Sequence, residues 1–108
     1  MKMIDPTAMS RFTALREAAG KIDRLVPHVR LMEQPPHESR DTASVALEFP
    51  TPLVVLNSTI RQALSVLFSA CDTVQTDKTE RGIRFTFTVS KMWITEGGEQ
   101  TAPPPFRS

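Results

Sequence analysis

The chain has 108 residues, with a single cysteine, Cys71, and no tyrosine. One cysteine excludes an internal disulfide bond, so the fold depends on a hydrophobic core, and we expect a reducing, cytoplasmic location. The first residues contain no apolar segment of the kind found in secretory signals. The most apolar stretch, residues 52–72, includes Asn57, Arg61 and Gln62 and is too polar to span a bilayer.

Glycine is scarce, and its positions exclude a glycine-rich phosphate-binding loop. The glycines are Gly20, Gly82, Gly97 and Gly98. The motifs of serine hydrolases (GxSxG) and zinc proteases (HExxH) are absent, and the acidic residues are scattered along the chain. We therefore expect a protein that is not an enzyme and that binds no cofactor.

Two histidines and the cysteine remain as candidates for chemistry. His28 and His37 are nine residues apart in a proline-containing segment, a spacing that does not resemble a zinc site. Cys71 falls on the apolar face of a predicted helix, near the C-terminal end, where the helix dipole disfavours a thiolate. We expect solvated histidines, a structural cysteine and no bound metal.

The chain has no large excess of positive or negative charge, because 13 basic and 12 acidic side chains give a formal net charge of +1. This balance creates no general attraction to nucleic acids or anionic membranes. The hydrophobic share of 40% and the charged share of 23% are typical of a globular domain. A chain of this length has room for one hydrophobic core and hence for one domain.

The first predicted helix begins at Asp5 and Pro6, an N-cap residue followed by proline at the first helical position. It extends to about Leu25, and Pro27 ends it because proline disfavours helical geometry in the residue before it. Its apolar residues recur with helical spacing at Ala8, Phe12, Leu15, Ala19, Ile22 and Val26. The pattern predicts a surface helix with one buried face.

A second helix is predicted after the apolar run at residues 53–56. Asn57 or Ser58 caps it, and it covers residues 59–70. Its apolar face consists of Ile60, Ala63, Leu64, Leu67, Phe68 and Cys71. The opposite face is uncharged, which suits contact with another chain, or with the first helix or the loop of this chain, better than open solvent. That face consists of Gln62, Ser65, Val66 and Ser69.

Three segments predict strands. Residues 44–49 alternate between apolar and polar side chains and are ended by Pro50 and Pro52. Residues 72–76 and 83–95 form a hairpin around a charged turn at 77–82. The last strand is longer than its partners, so its end, with Met92, Trp93 and Ile94, is expected to overhang the sheet. Its unpaired backbone groups then pair with a second copy of the chain, or the 27–42 loop or the tail covers them.

These elements predict an α+β fold in the order α-β-α-β-β, with two helices packed on one face of a small antiparallel sheet of about three strands. The domain covers residues 1–96, including a long proline-containing loop at 27–42. The loop is unusually long for a compact domain, so the alternative is that Val29, Leu31 and Met32 pack on the core as an extended segment and shorten it. Residues 97–108 are expected to form a flexible, proline-rich tail. No internal repeat is visible. The predicted core consists of Phe12, Leu15, Ile22, Leu47, Phe49, Leu56, Leu64, Leu67, Phe68, Phe85, Phe87 and Val89.

These features favour a non-catalytic protein-protein interaction module. We expect a small intracellular adaptor or inhibitor, of the kind common among phage and plasmid accessory proteins, that forms a homodimer. The residues expected at the protein interface are Gln62, Ser65, Ser69, Met92, Trp93 and Ile94.

The alternative is a nucleic-acid-binding accessory protein, because basic residues crowd the first helix and the long strand. The residues that would contact phosphates are Arg16, Lys21, Arg24 and Arg84. However, Glu17 shares the face of Lys21 and Arg24, and the strand shows no exposed aromatic residues for base stacking. Protein binding is therefore the first expectation.

Overall fold

The computed structural model describes residues 2–50 and 57–95. These ranges contain β1 (Lys2–Ile4), α1 (Pro6–Leu25), β2 (Arg30–Gln34), β3 (Thr42–Pro50), α2 (Ser58–Ala70), β4 (Thr73–Lys78), β5 (Gly82–Ser90) and β6 (Trp93–Thr95). Four strands form an antiparallel sheet in the order β2-β3-β5-β4, and β1 pairs with β6 in a second sheet. The α+β composition is confirmed, but the prediction of one three-stranded sheet in the order α-β-α-β-β was wrong.

Both helices begin at the predicted caps. The Asp5 carboxylate accepts a hydrogen bond from the Thr7 amide at 3.0 Å, and the Asn57 side chain accepts one from the Ile60 amide at 2.9 Å. These bonds satisfy amide groups that have no partner within the first helical turn. Neither of the two described helices is long and apolar enough to cross a membrane.

The segment predicted as a long loop at 27–42 contains β2, so the loop prediction was wrong, whereas Leu31 and Met32 of the alternative extended segment lie in this strand. In the hairpin of β2 and β3, Glu33 lies directly opposite Val45, and opposite residues of an antiparallel pair share a face. Glu33 therefore lies on the face that the helices cover, where Arg16 of α1 pairs with it at 3.3 Å. An acidic residue at this position hides the alternation that would reveal a strand.

The strand predicted at 83–95 is interrupted, and its overhanging end does not exist. β5 ends at Ser90, and Lys91 has a left-handed backbone with φ 57°. The chain then enters β6, which pairs with β1. The Met92 carbonyl accepts a hydrogen bond from the Asp5 amide at 2.8 Å, and the Met92 amide donates to the Asp41 carbonyl at 3.1 Å. The break turns the chain end back onto the start of α1.

The core lies between the helices and one face of the four-stranded sheet. The predicted core residues that are buried are Phe12, Leu15, Ile22, Leu47, Phe49, Leu67, Phe87 and Val89. Leu64 and Phe85 are partly buried. Phe68 was also expected in the core, but 49% of it is exposed. Leu56 and the predictions for Pro52, residues 53–56 and residues 97–108 lie outside the described residues.

The order helix, strand, strand occurs twice, first as α1-β2-β3 and then as α2-β4-β5. Each pair of strands is a hairpin, and the second strands, β3 and β5, pair at the centre of the sheet. The two halves are unequally covered, since α1 packs against β2, β3 and β5, whereas α2 packs against α1 and β5. As a result, every residue of β4 except Asp77 is exposed.

Candidate functional site

The residues that the sequence places at an interface on α2 are exposed. Gln62, Ser65 and Ser69 lie on its outer surface, and Val66 beside them is 42% exposed. Part of this surface forms one wall of an open groove of about 460 Å³, and α1 forms the other wall. Among the described residues that line the groove, Val66 is the single large apolar side chain. The α2 surface is accessible, but it is mostly polar.

Met92, Trp93 and Ile94 do not form a common surface. Met92 is fully buried, so the expectation that it contacts a partner is corrected. Trp93 is half-buried, and its indole N–H donates to the His37 carbonyl at 3.0 Å. Only Ile94, in the two-stranded sheet, is substantially exposed, at 43%. Trp93 holds the tip of the β2-β3 hairpin against β6.

The basic residues proposed for nucleic acid are separated by the fold. Arg84 lies directly opposite Glu48 on the sheet face away from the helices, whereas Arg16, Lys21 and Arg24 belong to α1. Arg16 is paired with Glu33, and Arg84 lies 3.6 Å from a carboxylate oxygen of Asp77. The four side chains do not form one phosphate-binding surface.

Three exposed apolar side chains lie near the end of α2 and on the helix side of β4 and β5. Phe68, Val74 and Ile83, which we name the apolar edge, are exposed by 49%, 36% and 44%. Val74 and Ile83 point to the face that the helices cover, because Val74 lies opposite the buried Phe87. An open groove of about 710 Å³ continues the cluster along β4 and β5. The apolar edge thus lies next to β4, an outer strand of the four-stranded sheet.

Phe68 is held in place by aromatic contacts that leave half of its surface exposed. Its ring meets those of Phe85 and Phe87 edge-on, with centroid distances of 6.2 and 5.3 Å. The residues of β4 opposite Phe85 and Phe87 are Thr76 and Val74. Phe68 therefore lies over the part of β5 that pairs with the middle of β4, the outermost strand on its side of the sheet.

The backbone of β4 has hydrogen-bonding groups that point away from the sheet. The Thr79 amide donates to the Gly82 carbonyl at 2.8 Å and closes the β4-β5 hairpin. Because hydrogen-bonded and non-hydrogen-bonded pairs alternate along antiparallel strands, the next hydrogen-bonded residues of β4 are Asp77 and Gln75. The amide and carbonyl groups of Val74, Thr76 and Lys78 consequently face outward, where β4 has no further strand among the described residues.

The opposite edge of the same sheet has charges at both ends of a short strand and two prolines after it, whereas the charges of β4, Asp77 and Lys78, lie at one end. β2 carries Arg30 and Glu33 and is followed directly by Pro35 and Pro36. Charged side chains and prolines at an edge strand oppose pairing with other chains. By contrast, residues 73–76 of β4 are Thr-Val-Gln-Thr and carry no charge. Of the two edges, β4 is the one suited to accept another strand.

Glu48 is the buried charge of the described structure, and its contacts are structural. It lies on β3, 3.2 Å from Arg81 and 3.9 Å from Arg30. A hydrogen bond from Thr79 is the largest of the contributions that lower the pKa of Glu48, and both arginines lower it further. Arg81 also donates to the His28 carbonyl at 2.7 Å. The cluster ties the β4-β5 turn to the start of β2.

Cys71 and His37 make local contacts in the described structure. Cys71 is half-buried at the end of α2, and burial raises the pKa of its thiol. His37 accepts a hydrogen bond from the Ser39 amide at 3.1 Å through Nδ1, inside the β2-β3 connection. No group of three His, Cys, Asp or Glu residues in the described ranges could hold a metal ion.

The apolar edge was missed by the sequence analysis because the helical pattern assigns Phe68 to the buried face of α2. The useful signal was the uncharged run at 73–76, which lacks the charges that usually protect an edge strand. Comparison with protein-family models, with curated proteins and with solved structures found no match. The function is therefore argued from this geometry alone.

Proposed function

We propose that the protein is a non-catalytic interaction module, a small adaptor or inhibitor, that binds another protein through the apolar edge and the outer side of β4. The main support is the position of Phe68, which is 49% exposed beside a strand with outward-facing backbone groups. Leaving a phenylalanine half exposed forgoes much of the free energy that its burial provides. A partner that covers it recovers this free energy.

The expected mode of binding is addition of a strand. A partner with an extended segment pairs with the amide and carbonyl groups of Val74, Thr76 and Lys78. Main-chain hydrogen bonds of this kind supply affinity for many sequences, whereas side-chain contacts supply specificity. Phe68, Val74 and Ile83 offer an apolar contact next to the added strand, so the partner should carry apolar side chains on that face.

The nucleic-acid alternative has less support. Two of its four residues, Arg16 and Arg84, are engaged by Glu33 and Asp77, and Arg84 is separated from the others by the sheet. A cytoplasmic location belongs to the proposal as well. It is supported by Cys71, which is half-buried and free in the structure and suits a reducing compartment.

The proposal is tested by affinity purification with three full-length baits: the unmodified protein, Phe68→Ser and Val66→Ser. Val66 is a matched control, because it is an apolar residue of α2 with 42% exposure outside the apolar edge. We expect proteins retained by the unmodified bait and by Val66→Ser to be lost with Phe68→Ser. Thermal melts verify that both variants are folded. Retention that is equal with all three baits would contradict the proposed surface.

A further inference from the structure

We infer that β4 pairs with β4 of a second copy of this chain. The two strands run antiparallel about a two-fold axis at Thr76. The inference rests on the proposed function, since it specifies the occupant of the same surface. The product is a continuous sheet of eight strands, four from each copy. The helices of both copies then lie on the same side of the sheet.

The backbone geometry restricts how two β4 strands can pair. Side chains of directly opposite residues must share a face, so the helix-side residues Val74, Thr76 and Lys78 have to pair among themselves. These are also the residues whose amide and carbonyl groups point outward. An axis at Thr76 places Thr76 opposite itself and Val74 opposite Lys78 of the second copy. This register uses all three outward-facing residues and forms about six hydrogen bonds between the copies.

The charges of β4 are compatible with this register. Lys78 of each copy lies opposite Val74, and Asp77 lies opposite Gln75, so no like charges face each other directly. The two Lys78 residues are four strand positions apart, which is about 13 Å and beyond the screening length in physiological salt. Asp77 retains its pairing with Arg84 of the same copy. At β2, Arg30 and Glu33 leave an uncharged run of only two residues, Leu31 and Met32, between them.

The same axis makes the apolar edge complementary to itself. Phe68 contacts Phe85 and Phe87, whose neighbours on β4 are Thr76 and Val74. Phe68 therefore lies over β5 at the level of the axis, and the helix-side residues of the second copy's β4 are about two strand spacings, or about 10 Å, away. Pairing at β4 thus satisfies the unpaired backbone groups and brings side chains of the second copy towards the half-exposed ring.

The size of the contact predicts its strength. Stable dimer interfaces bury about 1,200–2,000 Å² in total, and a contact of two short strands with two phenylalanines is at or below the lower end of that range. We therefore expect a dimer that forms and dissociates with protein concentration. The proposed dimer is therefore identified by the register of its two β4 strands and not by its affinity.

Disulfide cross-linking reads the register directly. Cys71→Ser removes the one native thiol, and single cysteines are then placed at Thr76, at Gln75 or at Gln34 on the other edge. With the axis at Thr76, the two Thr76 Cα atoms are about 5.5 Å apart, within disulfide reach, whereas two Gln75 residues are displaced along the strands by about 7 Å. We expect fast covalent dimerisation of Thr76→Cys, slower reaction of Gln75→Cys and the slowest of Gln34→Cys. Equal rates at all three positions, or fastest reaction at Gln75 or Gln34, would overturn the inference.

A proline variant tests the backbone hydrogen bonds separately. Thr76→Pro removes an amide that points away from β5, so it should leave the fold intact and abolish dimerisation, whereas Thr76→Val keeps the amide and should dimerise. Far-UV circular dichroism verifies the fold. If Thr76→Pro is folded and dimerises like Thr76→Val, the inference is wrong. If Thr76→Pro is unfolded, the cross-linking rates of the three cysteine variants alone decide whether the inference holds.

The outcomes separate this inference from the proposed function. A chain that stays monomeric and does not cross-link, yet retains proteins in a Phe68-dependent way, overturns the second copy as partner and supports protein binding at the apolar edge. A chain that neither dimerises nor retains any protein overturns both.

Discussion

Arg11 of α1 and Asp72 at the start of the β4-β5 hairpin form a hydrogen-bonded ion pair, with 2.6 Å between Nη1 and Oδ1. They are 61 residues apart in the sequence. The other carboxylate oxygen of Asp72 accepts hydrogen bonds from the amide and the hydroxyl of Ser90, at 2.8 and 3.1 Å. One side chain thus links the helix of the first half of the fold to the hairpin of the second half and stabilises the position of β4.

Asp72→Asn should destabilise the fold by about 1–2 kcal/mol, because it removes the charge that Arg11 and Ser90 bind. The expected loss of stability is moderate because 33% of the Asp72 side chain is exposed to solvent, which screens the ion pair. Chemical unfolding at pH 7 measures the loss. A double variant with Arg11→Gln that loses less stability than the sum of the two single losses would show that the two residues act together. Strictly additive losses would contradict the pairing.

Asp72 should also make stability depend on pH in acid. The Arg11 hydrogen bond, followed by the Ser90 amide, lowers the pKa of Asp72 to about 2 from a reference value of 3.8. A carboxylate with a lowered pKa contributes its stability above the reference value and loses it as the pH falls towards the folded-state value. We expect unfolding free energies to fall between about pH 5 and pH 2, and to fall less steeply in Asp72→Asn. Parallel pH profiles for the two proteins would contradict this.

Glu48→Gln should destabilise more than Asp77→Asn, although both changes remove a carboxylate that faces arginine. The side chain of Glu48 is only 9% exposed and has Arg30 and Arg81 near it, whereas Asp77 and Arg84 are 36% and 39% exposed. Breaking a buried pair leaves arginine charge without a partner, which costs more than breaking an exposed pair. Melting temperatures of the two variants make the comparison. A larger loss in Asp77→Asn would mean that the Glu48 cluster is not structural.

Trp93→Ala should reduce stability by about 2 kcal/mol without changing the oligomeric state. The side chain is half-buried against the core, and its N–H bonds to the His37 carbonyl. Trp93→Phe, which keeps the ring and loses the N–H, should cost about 1 kcal/mol. Thermal unfolding and sedimentation velocity measure both effects. A shift towards monomer with unchanged stability would instead place Trp93 in the dimer contact, as the sequence analysis expected.

The sequence could predict those elements whose signals are local. Asp5-Pro6 and Asn57 specify where the helices start, and the alternation from Ile83 to Val89 specifies β5. It could not predict β2, because Glu33 interrupts the alternation of apolar and polar residues. Glu33 pairs with Arg16, a contact between distant parts of the sequence that local patterns do not reveal. β1 is three residues long and shows no periodicity at all.

The site was harder to predict than the fold for a related reason. Phe68 has the spacing of a core residue, and its exposure follows from how little of β4 is covered by α2. For Met92 the error was the reverse. Its position after β5 suggested an exposed end, but the left-handed turn at Lys91 places it in the core. Helical and strand periodicity assign faces within an element, but the relative placement of elements decides which faces remain exposed.

Sedimentation equilibrium of the full-length protein over a wide concentration range tests the central claim most directly. The chain has a mass of 12.1 kDa. We predict that the weight-average mass rises with concentration towards twice that value, and that Phe68→Ser shifts the transition to higher concentration while Val66→Ser does not. A mass that stays at 12.1 kDa up to millimolar protein, or equal curves for all three proteins, would contradict pairing through β4 and Phe68.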